Sequence, residues 1–160
     1  MIGMTSSNGV IHFVEYDKDF LGFSWNWLND PEIRELTDAT VFTKQQQEEW
    51  FSSLQFRDDY MVWGICYDEL PIGVAGLKNI DKNSAEYFGY IGDKRFWAKG
   101  LSRQILDLVF NYAGNRKMNR IWLKVLKMNK RAIKAYLKYG FSTYKEDDLC
   151  LFMQKTVSGP

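Results

Sequence analysis

Three strand-like segments follow one another between residues 60 and 93, and this run constrains the fold more than any other part of the sequence. The segments YMVWGICYD, PIGVAGLKNI and SAEYFGYIGD are rich in β-branched and aromatic residues, and the turns DELP and DKNS connect them. Connections this short join antiparallel neighbours. The sequence therefore predicts a three-stranded antiparallel meander in the middle of the chain.

The residues before the meander predict one strand and two helices. GVIHFVEY alternates as a short strand does, and the segment after it has apolar residues at helical spacing up to a turn at Asp30 and Pro31. A second helix is expected to begin at Thr43, because Thr43 and Gln46 have the spacing of a capping box.

The residues after the meander alternate between helix and strand. LSRQILDLVFNYAGNRK and NKRAIKAYLKY have helical periodicity, RIWLKVL lies between them, and FSTYKE and LCLFMQK form a closing hairpin. The predicted order is β-α-α-β-β-β-α-β-α-β-β, an α/β domain whose mixed central sheet is antiparallel in its first half, has a crossover helix in its second half and is flanked by helices. We expect one domain over residues 1–157 and a short tail at 158–160.

Composition excludes several classes of protein. No apolar run approaches the roughly 20 residues that span a bilayer, and the N-terminus does not resemble an export signal, so we expect a cytoplasmic protein with no membrane partner. Cys66 and Cys150 are far apart in the sequence, which is typical of reduced thiols. His12 is the only histidine, which argues against a His/Cys zinc site and most histidine-ligated metals.

The two halves of the chain have opposite charge. Residues 1–80 carry 5 basic and 13 acidic side chains, whereas residues 81–160 carry 16 basic and 7 acidic ones. A positive second half attracts a polyanion, either a nucleic acid or a phosphate-bearing cofactor, although a solvated basic surface has the same composition.

Residues 95–105, RFWAKGLSRQI, favour a cofactor. Gly100 permits close backbone approach, and the helix that begins behind it offers unpaired N–H groups and a positive dipole end. Lys94, Arg95, Lys99 and Arg103 add positive charge at the same place. This combination predicts a phosphate site that is neither a Walker loop nor a dinucleotide-binding fingerprint, since both glycine motifs are absent.

The segment YIGDKRFWAKGLSRQIL, together with NKRAIKAYLKYGF at residues 129–141, resembles the acetyl-CoA-binding half of the GCN5-related N-acetyltransferases (GNAT). That family has a (Q/R)-x-x-G-x-(G/A) loop before one helix and an N…A…Y-x-x-x-G-F signature on the next. Trp97 and Ser102 depart from the usual residues of the loop. Trp97 and the earlier LNDPEIR segment resemble the subgroup that includes ribosomal-protein acetyltransferases and several small-molecule enzymes.

The resemblance implies two catalytic roles in the attack of an amine on an acetyl thioester. Tyr136 matches the tyrosine that protonates the coenzyme A sulfur, which a phenol can do as a general acid. Glu86 lies where some members place a glutamate that deprotonates the amine, although an ordinary strand carboxylate fits the sequence equally well. Lys124 occupies the position at which protein N-terminal acetyltransferases of the family often have a glutamate base, a role that a lysine cannot take.

The resemblance also implies a set of residues that bind acetyl-CoA as co-substrate. Asn129 and the strand backbone at Tyr90 and Ile91 would contact the pantetheine arm, and Arg131 and Lys134 the 3′-phosphate. The predicted cofactor-binding residues are Tyr90, Ile91, Phe96, Trp97, Ala98, Lys99, Gly100, Leu101, Ser102, Arg103, Asn129, Arg131 and Lys134.

The chain is thus expected to be an acetyltransferase acting on a small-molecule primary amine, without a metal. An amino-sugar nucleotide is favoured, and a polyamine, an aminoglycoside, a protein N-terminus or a non-catalytic acyl-CoA-binding module are the alternatives. Nucleic-acid binding is disfavoured because few aromatic residues are interleaved with the basic run, and a homodimer is left open.

An anionic acceptor would use candidates among Arg34, Arg57, Lys78, Trp25, Trp27 and Trp50. A cationic acceptor would use candidates such as Asp30, Glu32, Glu35 and Asp38.

Overall fold

Seven strands form one mixed sheet in the computed structural model, which describes residues 9–158. The strands, in the order β1-β2-β3-β4-β5-β7-β6 across the sheet, are β1 (Ile11–Glu15), β2 (Met61–Tyr67), β3 (Leu70–Lys78), β4 (Ser84–Ile91), β5 (Arg120–Leu126), β6 (Ser142–Glu146) and β7 (Cys150–Thr156). The helices are α1 (Lys18–Leu28), α2 (Pro31–Thr37), α3 (Lys44–Ser53), α4 (Ser102–Asn115) and α5 (Lys130–Tyr139).

The predicted architecture is confirmed. Strands β1 to β4 pair antiparallel in sequence order, so the meander is present and β1 extends it. Helix α4 crosses over to β5, which pairs parallel with β4, and β6 and β7 close the chain as an antiparallel hairpin. Of the predicted tail, residues 159 and 160 lie outside the described residues.

The predicted element order lacks one helix, α2. Asp30 and Pro31 were expected to form a turn, but the Asp30 carboxylate accepts hydrogen bonds from the N–H groups of Glu32 and Ile33, and proline stands in the first turn. An acidic N-cap followed by proline favours the start of a helix as much as a turn. The capping box expected at Thr43 and Gln46 is present at the start of α3.

The two faces of the sheet have separate cores. Helices α4 and α5 pack on one face, with fully buried residues such as Val109 and Leu123, and α1 and α3 pack on the other, where Phe20 is buried. Because side chains alternate along a strand, Tyr87 of β4 faces α4 and α5, whereas Phe88 faces α1 and α3.

The sheet is open between β4 and β5. The two strands pair over three residues only, Ser84 with Arg120 through Glu86 with Trp122. Beyond this point each strand continues without the other as partner, and α2 lies beside β5 at the opening. The parallel strands therefore diverge, and their free edges line a cleft that passes from one face of the sheet to the other.

Residues 9–158 contain neither a membrane-spanning helix nor a cluster of metal-ligating side chains. No helix there has the length and apolarity needed to cross a membrane. Nor do three or more His, Cys, Asp or Glu side chains come together there as metal ligands would.

Candidate active site

A cavity of about 1530 Å³ occupies the cleft between β4 and β5. Its lining comes from both faces of the sheet and includes every catalytic and cofactor-binding residue predicted from the sequence. We call the part bounded by residues 96–103 and α5 the anion half. The part on the other face of the sheet, between β3, β4 and β5 on one side and α1, α2 and α3 on the other, is the aromatic half.

The loop of the anion half presents a row of free backbone donors. Ala98, with φ 57°, and Gly100, with φ 72°, both adopt the left-handed conformation, so the backbone turns twice within three residues. The N–H groups of residues 98–104 have no hydrogen-bond acceptor within residues 9–158, and α4 begins here without a side-chain cap. Convergent N–H groups at a helix N-terminus bind anions such as a pyrophosphate.

Positive side chains surround this loop. Lys99 and Arg103 lie on the loop and the first turn of α4, and Arg131, Lys134 and Lys138 line the same half from α5. Asp107 is the acidic side chain that lines this half, and it accepts a 2.7 Å hydrogen bond from the Tyr139 hydroxyl. The anion half therefore has the net positive charge that a phosphate-bearing molecule requires.

Trp97, a departure from the family loop, has a structural explanation. Its indole Nε1 donates a 2.8 Å hydrogen bond to the carbonyl oxygen of Ile91, the last residue of β4. The Arg131 guanidinium lies 5.1 Å and the Lys94 ammonium 5.7 Å from the centre of its ring. Trp97 thus fastens the loop to β4 and orients Arg131 toward the loop.

Both polar atoms of the Asn129 side-chain amide form hydrogen bonds. Its Oδ1 atom accepts a 3.3 Å hydrogen bond from the N–H of Ala132, which caps α5, and its Nδ2 atom donates a 3.4 Å hydrogen bond to the carbonyl oxygen of Leu36 in α2. The side chain therefore joins α2 to α5 across the cleft. Oδ1 keeps one lone pair with which it can accept a hydrogen bond from a ligand.

Tyr136 lies on the α5 face of the cleft. Its ring packs edge-on against Tyr87 of β4, with ring centroids 6.3 Å apart. Burial raises the pKa of the Tyr136 hydroxyl to about 12, so the group keeps its proton at any physiological pH. The hydroxyl lines the cavity with no hydrogen-bond partner within residues 9–158, which leaves it free to donate to a ligand.

Glu86 lies on the opposite face of the sheet from Tyr136, at the last paired position of β4. It is 8% exposed, and its carboxylate accepts a 2.8 Å hydrogen bond from Asn79 Nδ2 and lies 3.9 Å from the Lys78 ammonium. Two lone-pair positions of the carboxylate remain for a proton or a water molecule. The two predicted catalytic residues, Glu86 and Tyr136, therefore lie on opposite faces of the sheet beside the opening between β4 and β5.

The aromatic half contains residues that the sequence did not single out. Tyr16, which burial keeps protonated with a pKa of about 12, donates a 2.7 Å hydrogen bond to Ser24, and Gln47 donates one of 3.1 Å to the carbonyl oxygen of Leu21. The Tyr60 ring packs at a tilt of 49° against Phe88, with ring centroids 5.5 Å apart. These residues lie far apart in the sequence and match no motif, so only the fold could bring them together.

The acceptor candidates named from composition are mostly occupied elsewhere. The Arg57 guanidinium pairs with Asp59 at 3.1 Å, and Asp30 and Glu32 both hold the Lys94 ammonium, at 2.8 and 2.9 Å. Arg34 binds the carbonyl oxygen of Leu28 and the side chain of Asn29. Three of the ten candidates line the cavity, namely Lys78, Trp50 and Asp38.

The charged residues of the aromatic half are balanced. Glu86 and Asp38 contribute two carboxylates, and Lys78 and Lys124 contribute two ammonium groups. All its other lining side chains are neutral, and many are aromatic. This half offers hydrogen-bonding and aromatic surfaces without an excess of negative charge.

Comparison with known proteins agrees with this geometry. A family model described as an acetyltransferase (GNAT) domain matches residues 11–142. Acetyltransferase PseH of Campylobacter jejuni is 25% identical to the chain over 137 residues, which are 85% of this chain and 85% of that protein.

Solved structures have the same fold. N-acetyltransferase PseH of Campylobacter jejuni, in complex with acetyl coenzyme A, superposes with a TM-score of 0.73 at 20% identity and covers 93% of this chain and all of its own. Spermidine N-acetyltransferase of Vibrio cholerae, in complex with CoA and spermine, superposes with a TM-score of 0.83 at 18% identity, over 92% of this chain and 95% of its own. Since proteins with different names share the fold, the fold does not decide the acceptor.

Proposed function

Because the chain belongs to the GNAT acetyltransferase family and is an acetyl-CoA-dependent N-acetyltransferase, we propose that its acceptor is the primary amine of an amino-sugar nucleotide. The choice of acceptor rests on the aromatic half of the cavity. Its lining is rich in aromatic side chains, and its two carboxylates and two ammonium groups leave it without net charge. The roles of individual residues, set out next, are part of the same proposal.

The anion half fits the coenzyme. The free N–H groups of residues 98–104 would hold the pyrophosphate, and Arg131 and Lys134 would neutralise the 3′-phosphate. The free edge of β4 at Gly89 and Ile91 would pair with the amide groups of the pantetheine arm, because the bond from the Gly92 N–H to the Ile72 carbonyl oxygen sets a register in which the backbone groups of Tyr90 point to β3. The Ile91 carbonyl oxygen already accepts from Trp97, so at Ile91 the N–H group is the one left to take part.

Acetyl-CoA supplies the thioester whose carbonyl carbon the amine attacks. Glu86, on the α1 and α3 face, would accept a proton from the amine, directly or through water, as the new C–N bond forms. Tyr136, on the α5 face, would donate its proton to the sulfur as the C–S bond breaks. One proton leaves the amine and one reaches the thiolate, so the products are an amide and coenzyme A thiol.

The aromatic half disfavours polycationic acceptors. A polyamine or an aminoglycoside carries several positive charges and needs an excess of carboxylates, but here two carboxylates face two ammonium groups. The acidic residues Asp30 and Glu32 are already neutralised by Lys94. A sugar joined to a nucleotide instead suits hydroxyl and amide donors beside the Trp50 and Tyr60 rings.

A panel of amines tests the proposal. Thiol release from acetyl-CoA would be followed with UDP-glucosamine, glucosamine, spermidine and kanamycin, and acetylation confirmed by mass spectrometry. We expect the highest kcat/KM for the nucleotide-linked amino sugar. Faster turnover of spermidine or kanamycin would contradict the choice of acceptor, and coenzyme binding without thiol release for every amine would indicate a non-catalytic binding module.

Location in the cytoplasm and assembly as a homodimer stay predictions. A cytoplasmic location agrees with the use of acetyl-CoA, and cell fractionation would test it. Light scattering on the purified protein would give its mass in solution and decide between monomer and dimer.

A further inference from the structure

Lys124 faces the aromatic half from the far side of the opening. Glu86 pairs with Trp122, and the next side chains on the same face are Phe88 on β4 and Lys124 on β5. The strands have diverged at this point, so Phe88 and Lys124 lie across the cleft from each other, and both line the cavity.

The Lys124 ammonium has no fixed partner. Within residues 9–158 no carboxylate lies within 4 Å of it, whereas Lys78 and Lys127 each reach a carboxylate. The pKa of nearby Asp147 is lowered chiefly by the hydrogen bonds that its carboxylate accepts from backbone N–H groups, and less by the charges of Lys124 and Lys127. Those backbone bonds, to Leu149 and Cys150, hold the carboxylate in its own turn.

Coenzyme binding does not account for this cation. The free N–H groups and the basic side chains of the anion half belong to the loop before α4 and to α5, on the other face of the sheet from Lys124. An ammonium group that faces a polyanionic coenzyme would be expected among those residues. If the Lys124 ammonium binds a ligand, that ligand is therefore the acceptor and not the coenzyme.

We propose that Lys124 binds a phosphate group of the acceptor and so selects nucleotide-linked over free amino sugars, an inference that rests on the proposed function. Lys124 lies two residues beyond Trp122, roughly 7 Å along β5 from the position that pairs with Glu86. This spacing suits a sugar ring whose amine approaches Glu86 while its phosphate lies near Lys124. A lysine ammonium binds phosphate as a point charge, without the fixed geometry that arginine imposes.

Kinetics of Lys124→Gln and Lys124→Glu, with UDP-glucosamine and with free glucosamine, test the inference. Loss of a charge-assisted contact should raise KM for UDP-glucosamine about 10-fold to 100-fold in Lys124→Gln, and more in Lys124→Glu. The kcat/KM for free glucosamine and the Kd of acetyl-CoA should stay unchanged. Lys127→Gln, at a half-buried lysine paired with Glu146, is the matched control and should leave every constant unchanged.

Two results would overturn the inference: an unchanged KM for UDP-glucosamine in Lys124→Gln, or an equal loss with free glucosamine. Inhibition by UDP separates this inference from the proposed function. If the wild type acetylates only another amine but UDP competes with that amine, and Lys124→Gln abolishes the competition, the phosphate site stands and the choice of acceptor fails. If UDP does not compete with any acetylated amine, the phosphate site is wrong.

Discussion

The anion half and the aromatic half of the cavity offer different kinds of groups to a ligand. The anion half presents backbone N–H groups from one continuous loop, with basic side chains around them. The aromatic half presents side chains from β3, β4, β5 and from α1, α2 and α3, which are distant in the sequence. A phosphate site made of backbone tolerates changes of side chain, whereas an acceptor site made of side chains changes its specificity with each substitution.

This contrast predicts that variants in the two halves affect different constants. The largest effect is expected at Tyr136, on the α5 side of the opening. Tyr136→Phe keeps the ring packing against Tyr87 and removes the hydroxyl, so kcat should fall roughly 10²-fold to 10⁴-fold while the protein stays folded. Stopped assays of thiol release at saturating substrates would measure kcat.

The pKa of about 12 adds a second expectation for Tyr136. A group that keeps its proton up to that pH produces no alkaline loss of activity below about pH 10. The pH profiles of the wild type and Tyr136→Phe should therefore have the same shape from about pH 7 to 10. Tyr144→Phe, at an exposed tyrosine of β6, is the control. Wild-type turnover in Tyr136→Phe would show that Tyr136 packs in the core and is not the proton donor.

Glu86→Gln tests the chemistry of the aromatic half. The amide keeps the size of the side chain and can still accept from Asn79, but it cannot take a proton, so kcat/KM should fall about 10²-fold. Calorimetry should find the Kd of acetyl-CoA unchanged. Glu69→Gln, in the exposed turn between β2 and β3, should have no effect. A Glu86→Gln enzyme with full activity would mean that water alone removes the proton.

Gly100→Val tests the anion half. Valine disfavours the φ of 72° at this position, and its side chain would stand where a phosphate approaches the backbone, so the Kd of acetyl-CoA should rise at least about tenfold. Gly22→Val adds the same side chain at another exposed glycine with no neighbour within 4 Å. Unchanged coenzyme affinity in folded Gly100→Val would show that the pyrophosphate does not bind to this loop.

The smallest expected effect is on stability, in the aromatic half. The Tyr90 hydroxyl is buried near Ser24 but makes no hydrogen bond of good geometry within residues 9–158, so Tyr90→Phe should raise the free energy of unfolding by up to about 1 kcal/mol. Tyr16→Phe should lower it by about 1 kcal/mol, because the Tyr16 hydroxyl bonds to Ser24. Thermal unfolding of both variants measures the difference, and a destabilised Tyr90→Phe would show that its hydroxyl has a partner.

The sequence by itself determined the features that depend on neighbouring residues. The meander, the crossover helix, the glycine loop and the tyrosine at residue 136 follow from periodicity and from motifs that are local in the chain. Even there, the start of α2 was not recognised, because Asp30 and Pro31 are equally common in turns and at helix N-termini.

Only the tertiary structure decided what each charge and aromatic ring faces. From the sequence, Asp30 and Arg57 were candidates for the acceptor site, but Lys94 and Asp59 hold them outside it. Tyr16, Ser24 and Lys124 line the cavity because β4 and β5 diverge after three paired residues. Long-range pairing of strands and salt bridges depends on the relative free energies of many distant contacts, and no local pattern in a single chain encodes that balance.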